Sequence, residues 1–266
     1  MSEHATLAGV TRVYPARAGH GAVHALGPVD LSLRSGEFFS VVGPSGCGKS
    51  TLLEVLAGLA QPTEGVVRFE DRAVRGEVPE GVGMVFQEDA SFPWLSVADN
   101  VAFGLRRAGL PDAEIRERVD YALKFMGLVD FRGAYPAQLS GGMRQRVCIA
   151  RTLVLRPRLI LLDEPFGALD AQTRLLMGDE LLKLWRETGA TVLLITHALD
   201  EAAMLSDRIA VMSARPGKLI EILDTGWPRE RDSRIAGEDD FGHITGHLWK
   251  LLRGESLKSL GMEAAS

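Results

Sequence analysis

Three stretches of this 266-residue chain hold residues whose types and spacing suit phosphate chemistry. In the run Gly43, Pro44, Ser45, Gly46, Cys47, Gly48, Lys49, Ser50, Thr51, the glycines leave backbone N–H groups bare to wrap a β-phosphate. Lys49 can reach the β and γ oxygens, and Ser50 can ligate Mg²⁺ at a helix N-terminus. In "LILLDEP", Leu159 to Pro165, two adjacent carboxylates close an apolar run. Asp163 can hold Mg²⁺ through water, and Glu164, on the opposite side of the chain, can polarise a water that attacks the γ-phosphate in line. In "LSGGMRQR", Leu139 to Arg146, Ser140 can cap a helix while Gly141 and Gly142 present bare backbone donors. This third stretch has no lysine and no metal ligand, so it cannot hold a triphosphate alone but can cap the γ-phosphate of one already bound.

Single residues elsewhere could join them. Gln87 could bind Mg²⁺ or the attacking water, or be an ordinary surface amide. His197 could donate to the γ-phosphate and orient Glu164, or be a structural histidine. Tyr14, before Pro15, could stack on a base or simply pack ahead of a turn. Cys47 either fills a small-residue position or, among helix N–H groups, is an acidified thiol that bound nucleotide would shield.

The elements that must position these groups are legible as short apolar runs. "FFSVVG" enters the phosphate loop at Gly43, "VGMVF" ends at Gln87, "LILL" at Asp163 and "TVLLIT" at His197. Such runs, with helical stretches between them, indicate buried parallel strands, whose carboxyl ends are where ligands bind. Before them, "VTRVYPARAGHGAVHALGPVDLSLRSGE" alternates as antiparallel strands joined by glycine-rich turns. Between Gln87 and Leu139 the texture becomes helical. Ile115, Val119, Ala122, Leu123 and Met126 recur at helical spacing, with Pro111 and Asp112 as start and Gly127 as stop. A helix also follows Ser140 through Met143, Val147, Ala150 and Val154. "RIAVMSA" and "KLIEIL" read as further strands, and the polar tail ends in one short amphipathic helix near Leu248 to Leu252. The fold class is α/β: a phosphate-loop core with an N-terminal antiparallel β layer and an inserted α-helical subdomain. The expected divisions are residues 1–91 for the β layer and first half of the core, 92–155 for the helical subdomain, 156–226 for the second half of the core and 227–266 for the tail.

Composition narrows the function. With 46% hydrophobic residues the chain can bury a large core. A net charge of -5 and a pI near 5.7 provide no bulk positive field for a nucleic-acid backbone, and no nucleic-acid partner is expected. No apolar run approaches the ~20 residues of a membrane span, and the start "MSEHATLAGV" lacks a signal-peptide pattern. Two cysteines make no disulfide framework and suit a reducing cytosol. A GTPase would need an Asn-Lys-x-Asp motif, which is absent.

At these motifs the sequence resembles the ATP-binding cassette (ABC) family over about residues 5 to 225. The resemblance implies that Tyr14 stacks on adenine, that Asp170, ending the "GALD" loop, belongs to the nucleotide site, and that ATP and Mg²⁺ are bound. It also implies that two copies pack head to tail, the Ser140–Gly142 signature of one closing on the ATP of the other. That use in trans explains why the chain carries half of a second phosphate site. "FPWLSVADNV", "LSGGMRQRVCIAR", "DEPFGALDAQTR", "THALDEA" and "MSARPG" are similar to the importer ATPases of the nitrate, sulfonate and taurine group. Membership implies membrane permease subunits docking near Phe92 to Leu95, an indirect extracytoplasmic substrate-binding protein, and a place on the cytoplasmic face of the bacterial inner membrane. Ala198, where the group usually has Asp, and "DASF" before Pro93 depart from its pattern. The tail lacks the β-rich regulatory domain of sugar-importer relatives. A pyrimidine-precursor cargo, or a soluble non-transport cassette ATPase, are the competing readings. Repair ATPases insert long coiled coils and translation factors carry two cassettes, and this chain does neither.

Overall fold

The computed structural model describes residues 3–16, 21–88 and 90–259. The expected glycine turn at residues 17–20, and Asp89 of "DASF", lie outside the described residues.

Two sheets organise the chain. The N-terminal sheet has the order β2-β1-β4-β5 and is antiparallel, with β1 Glu3–Tyr14, β2 Val23–Arg34, β4 Glu64–Phe69 and β5 Arg72–Ala73. The central sheet has the order β10-β9-β3-β8-β7-β6, where β3 is Phe38–Val42, β6 Val82–Val85, β7 Leu159–Asp163, β8 Thr191–Ile195, β9 Arg208–Met212 and β10 Leu219–Asp224. Its strands run parallel except β10, an antiparallel edge on β9. Every residue of β3, β7 and β8 is buried. The reason is that both faces are covered, which is why these strands read as continuous apolar runs instead of alternating ones.

The two-residue pleat sends successive side chains to different cores. Phe38, Ile160, Leu162, Val192 and Leu194 pack on the helical side. Phe39, Val41, Leu161, Leu193 and Ile195 face the N-terminal layer and α1, Lys49–Leu56. The helical side comprises α2 Val97–Arg107, α3 Asp112–Phe125, α4 Gly141–Leu153 and α5 Ala171–Thr188. Ile115, Val119, Ala122, Leu123 and Met126 are all buried there, as their spacing predicts. Trp185 anchors α5, its ring edge-on to Phe38 at 5.8 Å and its indole N–H donating to the Gly36 carbonyl at 3.1 Å.

The tail departs from expectation. In place of a short helix near Leu248 to Leu252, the structure has the 21-residue α7, Asp239–Ser259. Ile244, Leu248 and Leu252 recur every four residues and bury against Ile209 and Val211 of β9 and Ala202 and Ala203 of α6, Leu199–Leu205. Gly242, Gly246 and Gly254 weaken helix propensity along this run, and docking of the apolar stripe overrides that cost.

Candidate functional site

The strand order places the carboxyl ends of β6, β7, β8, β3 and β9 side by side, and each supplies one loop to the site. After β3 the chain turns through Gly43 to Gly48 into α1. Gly48 has φ +113°, and a Cβ there would stand 2.6 Å from the Ala25 carbonyl oxygen. Only glycine allows the loop to fold this tightly onto β2. Lys49 is buried, and its ammonium donates to the Gly43 and Pro44 carbonyls at 2.9 and 3.0 Å. It therefore lies folded along the loop that it would vacate for a phosphate. Cys47 is buried as well, and burial pushes its thiol up. That direction opposes an acidified, reactive cysteine and favours the space-filling alternative.

β7 ends in the two carboxylates, and they separate as anticipated. Asp163 is buried, accepts a hydrogen bond from Ser50, and leaves Oδ1 with no partner. Burial raises its pKa. A buried, half-satisfied carboxylate next to a hydroxyl at a helix start is a poor resting arrangement unless a cation completes it, so the residues fit Mg²⁺. Among the described residues no group of three His, Cys, Asp or Glu could hold a metal. The cation would therefore depend on Ser50, Asp163, Gln87 and phosphate oxygens, the usual situation for magnesium.

Glu164 turns away with a positive φ of 47°, a costly conformation for a non-glycine residue. Its N–H donates to the Ile195 carbonyl at 2.8 Å. Its carboxylate is the meeting point of the other strand ends. Gln87 Nε2, following β6, donates to Glu164 Oε2 at 3.2 Å, and His197 Nδ1, following β8, lies 3.1 Å from the same oxygen. Gln87, although exposed, and His197 thus share one partner, the Glu164 carboxylate.

These groups border a cleft of about 330 Å³ lined by Tyr14, Ser45, Gly46, Gly48, Lys49, Ser50, Thr51, Gln87 and Glu164. Tyr14 forms its outer wall. The Arg12 guanidinium lies 4.5 Å from the centre of one face of the ring, and the hydroxyl reaches Glu54 at 3.5 Å. A larger cavity of about 800 Å³, bounded by Tyr121, Phe125, Pro157, Leu184 and Ala190, opens at the amino ends of β7 and β8, the wrong edge of the sheet for this chemistry.

The structure does not bring every expected residue to this cleft. Ser140 and Gly141 are exposed and Gly142 half-buried at the start of α4, where the Ser140 hydroxyl accepts from Met143 N–H at 3.3 Å. Asp170 is exposed and caps α5. The Thr173 N–H and hydroxyl, at 2.9 and 2.7 Å, hold its carboxyl below the usual range. Neither segment lines the cleft of its own chain. Conversely, the sequence reading passed over two residues. Glu201 is buried on α6 and accepts from Thr196 beside His197, and burial lifts its carboxyl to about 7. Arg215 lines the cleft and grips Gly46. The available signal for Arg215 was an Arg-Pro-Gly turn at the carboxyl end of a parallel strand.

Phe92 to Leu95 lie beyond Gln87 on a loop fixed from beneath. The buried Asn100 amide donates to the Phe92, Leu95 and Ser96 carbonyls at 3.0–3.1 Å and accepts from Phe92 N–H at 2.8 Å. Phe92 packs on Phe103 and under the Arg151 guanidinium, while Trp94 is 71% exposed.

Comparison with known proteins gives this geometry its context. Residues 26–167 match the family model described as ABC transporter. The chain is 40% identical to the nitrate import ATP-binding protein NrtD of Synechocystis sp. over 257 residues, 94% of this chain and 96% of the relative. It is 50% identical to the taurine import ATP-binding protein TauB of Ruegeria pomeroyi over 198 residues, 74% of each. Among solved structures, the dimeric bacterial ABC transporter cassette MJ0796 superposes with a TM-score of 0.75 at 34% identity, covering 83% of this chain and 98% of that one. With the phosphate loop, the paired carboxylates and the signature helix all in place, the chain belongs to the ABC transporter family as an ATP-binding cassette ATPase.

Proposed function

We propose that this chain is the ATP-hydrolysing subunit of an importer for a small oxyanion such as taurine, another aliphatic sulfonate or nitrate. In this reading two copies close head to tail around two ATP molecules. The observation that carries it is the division of the site: Gln87 and Glu164 line the phosphate-loop cleft and His197 reaches Glu164, while Ser140 to Gly142 do not line it. The first group can activate water but leaves the outer side of the γ-phosphate uncovered, and a second copy can supply the missing donors.

Position and family resemblance together support the following roles. The backbone from Gly43 to Thr51 and the Lys49 ammonium cradle the phosphates, and Tyr14 stacks on adenine. Ser50, Asp163 and Gln87 would hold Mg²⁺, which would offset phosphate charge during transfer. Glu164 takes the proton of the attacking water, with His197 and Gln87 fixing its orientation. Asp170 meets the nucleotide site across the dimer. Residues 1–91 form the β layer and first half of the ATPase core, 92–155 the subdomain that carries Ser140, 156–226 the second half of the core, and 227–266 the tail.

Trp94, held up by Asn100, is a rigid aromatic anchor for a membrane permease. No described helix is long and apolar enough to cross a membrane, which fits a peripheral subunit on the cytoplasmic face. The nitrate and taurine relatives support the cargo class, and the extracytoplasmic binding protein would select within it.

Glu164→Gln should retain ATP, form an ATP-dependent dimer in gel filtration and lose about 10²–10³ in turnover. Full turnover in that variant would sink the assigned base. For the cargo, the assembled transporter with its binding protein should hydrolyse ATP faster with taurine, a sulfonate or nitrate; stimulation only by an unrelated solute would remove the oxyanion reading.

A further inference from the structure

Every backbone carbonyl of a tightly folded loop needs a partner. At the tip of the phosphate loop the partner is Arg215, whose Nε and Nη2 donate to the Gly46 carbonyl at 3.1 and 2.8 Å. The carbonyl of Gly46 and the N–H of Cys47 belong to one planar, trans peptide, so a cation holding the oxygen also fixes the opposite direction of the N–H. The Cys47 N–H does point across the loop, 3.3 Å from the Pro44 carbonyl.

The turn that carries Arg215 is itself fixed at both ends. Gly217 lies so close to the phosphate loop that a Cβ would stand 2.2 Å from the Cys47 carbonyl oxygen. Its N–H donates to Ala25 and its carbonyl accepts from Gly27, both at 3.0 Å, tying the turn to β2. On the other side the Ala214 N–H donates to Glu255 Oε2 of α7 at 2.8 Å. Glu255 is 8% exposed and is paired with Lys258 at 2.7 Å. α7 is seated by Ile244, Leu248 and Leu252, so Glu255 has a fixed place from which to hold the turn.

We propose that Arg215 is a positioning residue of the ATP site, holding the phosphate loop in its binding shape through Gly46. Glu255 of the C-terminal helix holds Arg215's turn in register. The tail is then a strut of the nucleotide site rather than an appendage. The proposal rests on the ATPase reading but concerns the affinity step, because Arg215 touches the cradle of the phosphates and not the water-activating cluster.

The test measures Mg-ATP affinity and steady-state ATPase on the full chain, with thermal unfolding of the nucleotide-free protein as control. Arg215→Ala should raise Kd and KM about tenfold, the scale of one charge-assisted hydrogen bond. Turnover at saturation and the nucleotide-free melting temperature should hold. Arg215→Lys, which keeps the charge but not the two-pronged edge, should recover part of the affinity. Glu255→Ala should weaken binding less than Arg215→Ala, and Glu255→Gln, still an acceptor for Ala214, should restore it. Unchanged Kd in Arg215→Ala, or a fall in turnover with unchanged KM, would overturn the proposal. Should Arg215→Ala not fold, wild-type Kd in Arg215→Met, which keeps the stem without the donors, would overturn it, and wild-type Kd in Glu255→Ala would remove the strut. Wild-type protein that fails to bind ATP would instead overturn the ATPase reading itself.

Discussion

The loop at Gly43 to Thr51 and the loop at Ser140 to Gly142 both open a helix with bare backbone donors, yet their surroundings differ. The first is packed under β2 and the Ser213–Gly217 turn, holds a buried lysine, bonds Asp163 through Ser50, and shares its cleft with Glu164. The second has Ser140 and Gly141 exposed and Gly142 half-buried, and its helix start is capped by its own serine. A complete site needs charge, burial and a metal ligand together. A half-site can do without them if it only has to close on a phosphate that another loop already holds.

The strongest way to break this comparison is complementation. Lys49→Ala and Ser140→Ala chains, each assayed alone, should lose at least about tenfold in turnover, and mixing them should recover activity, since one composite site in each mixed dimer has both loops intact. No recovery on mixing, with Ser140→Ala alone fully active, would mean that the exposed half-site is not used in trans.

A smaller effect separates the catalytic edge from its support. Glu201 sits behind His197, faced by Arg174 from α5, by His197 itself and by Glu164, and its carboxyl is raised to about 7 chiefly by burial. An unfolded chain loses that proton near the ordinary value of 4.5. Between the two values the folded state binds a proton that the unfolded state lacks, so stability falls as pH rises through that window and stays lowered above it. Glu201→Gln, which keeps an acceptor for Thr196, should match wild type in thermal unfolding at about pH 4 and exceed it by about 1–3 kcal/mol at about pH 8. A wild-type advantage at the higher pH would show that the ionised carboxylate is the favoured native form.

The smallest effect in the isolated chain belongs to Trp94. Trp94→Ala should change stability by no more than about 0.5 kcal/mol, as expected for an exposed side chain, and leave soluble ATPase activity unaltered. It should nevertheless reduce copurification with the membrane subunits. Equal copurification would free this aromatic from a docking role.

How much was legible depended on how far apart the partners lie in the chain. The phosphate loop, the Asp163–Glu164 pair and the Ser140 cap each form within a few residues, and all three were read directly. The α3 core face followed from periodicity. Glu201 and Arg215 were not read as site residues, although both stand in quoted motifs. Arg215 acts on Gly46 across a separation of 169 residues, and Glu201 becomes unusual only because tertiary packing buries it. The length of α7 was missed because its glycines and polar residues mask a stripe that has meaning only once β9 and α6 are there to cover it.

The amino-acid sequence by itself determined the chemical parts: nine consecutive residues contain most of a phosphate cradle, because backbone N–H groups and one lysine suffice to build it. Tertiary structure decided which parts meet. The order β6, β7, β8 brought Gln87 and His197 to one oxygen of Glu164, and the packing of α7 and the Arg215 turn set what stands behind the loop. Local backbone geometry can be written in a motif, whereas burial and the convergence of distant strand ends exist only after the sheet has closed.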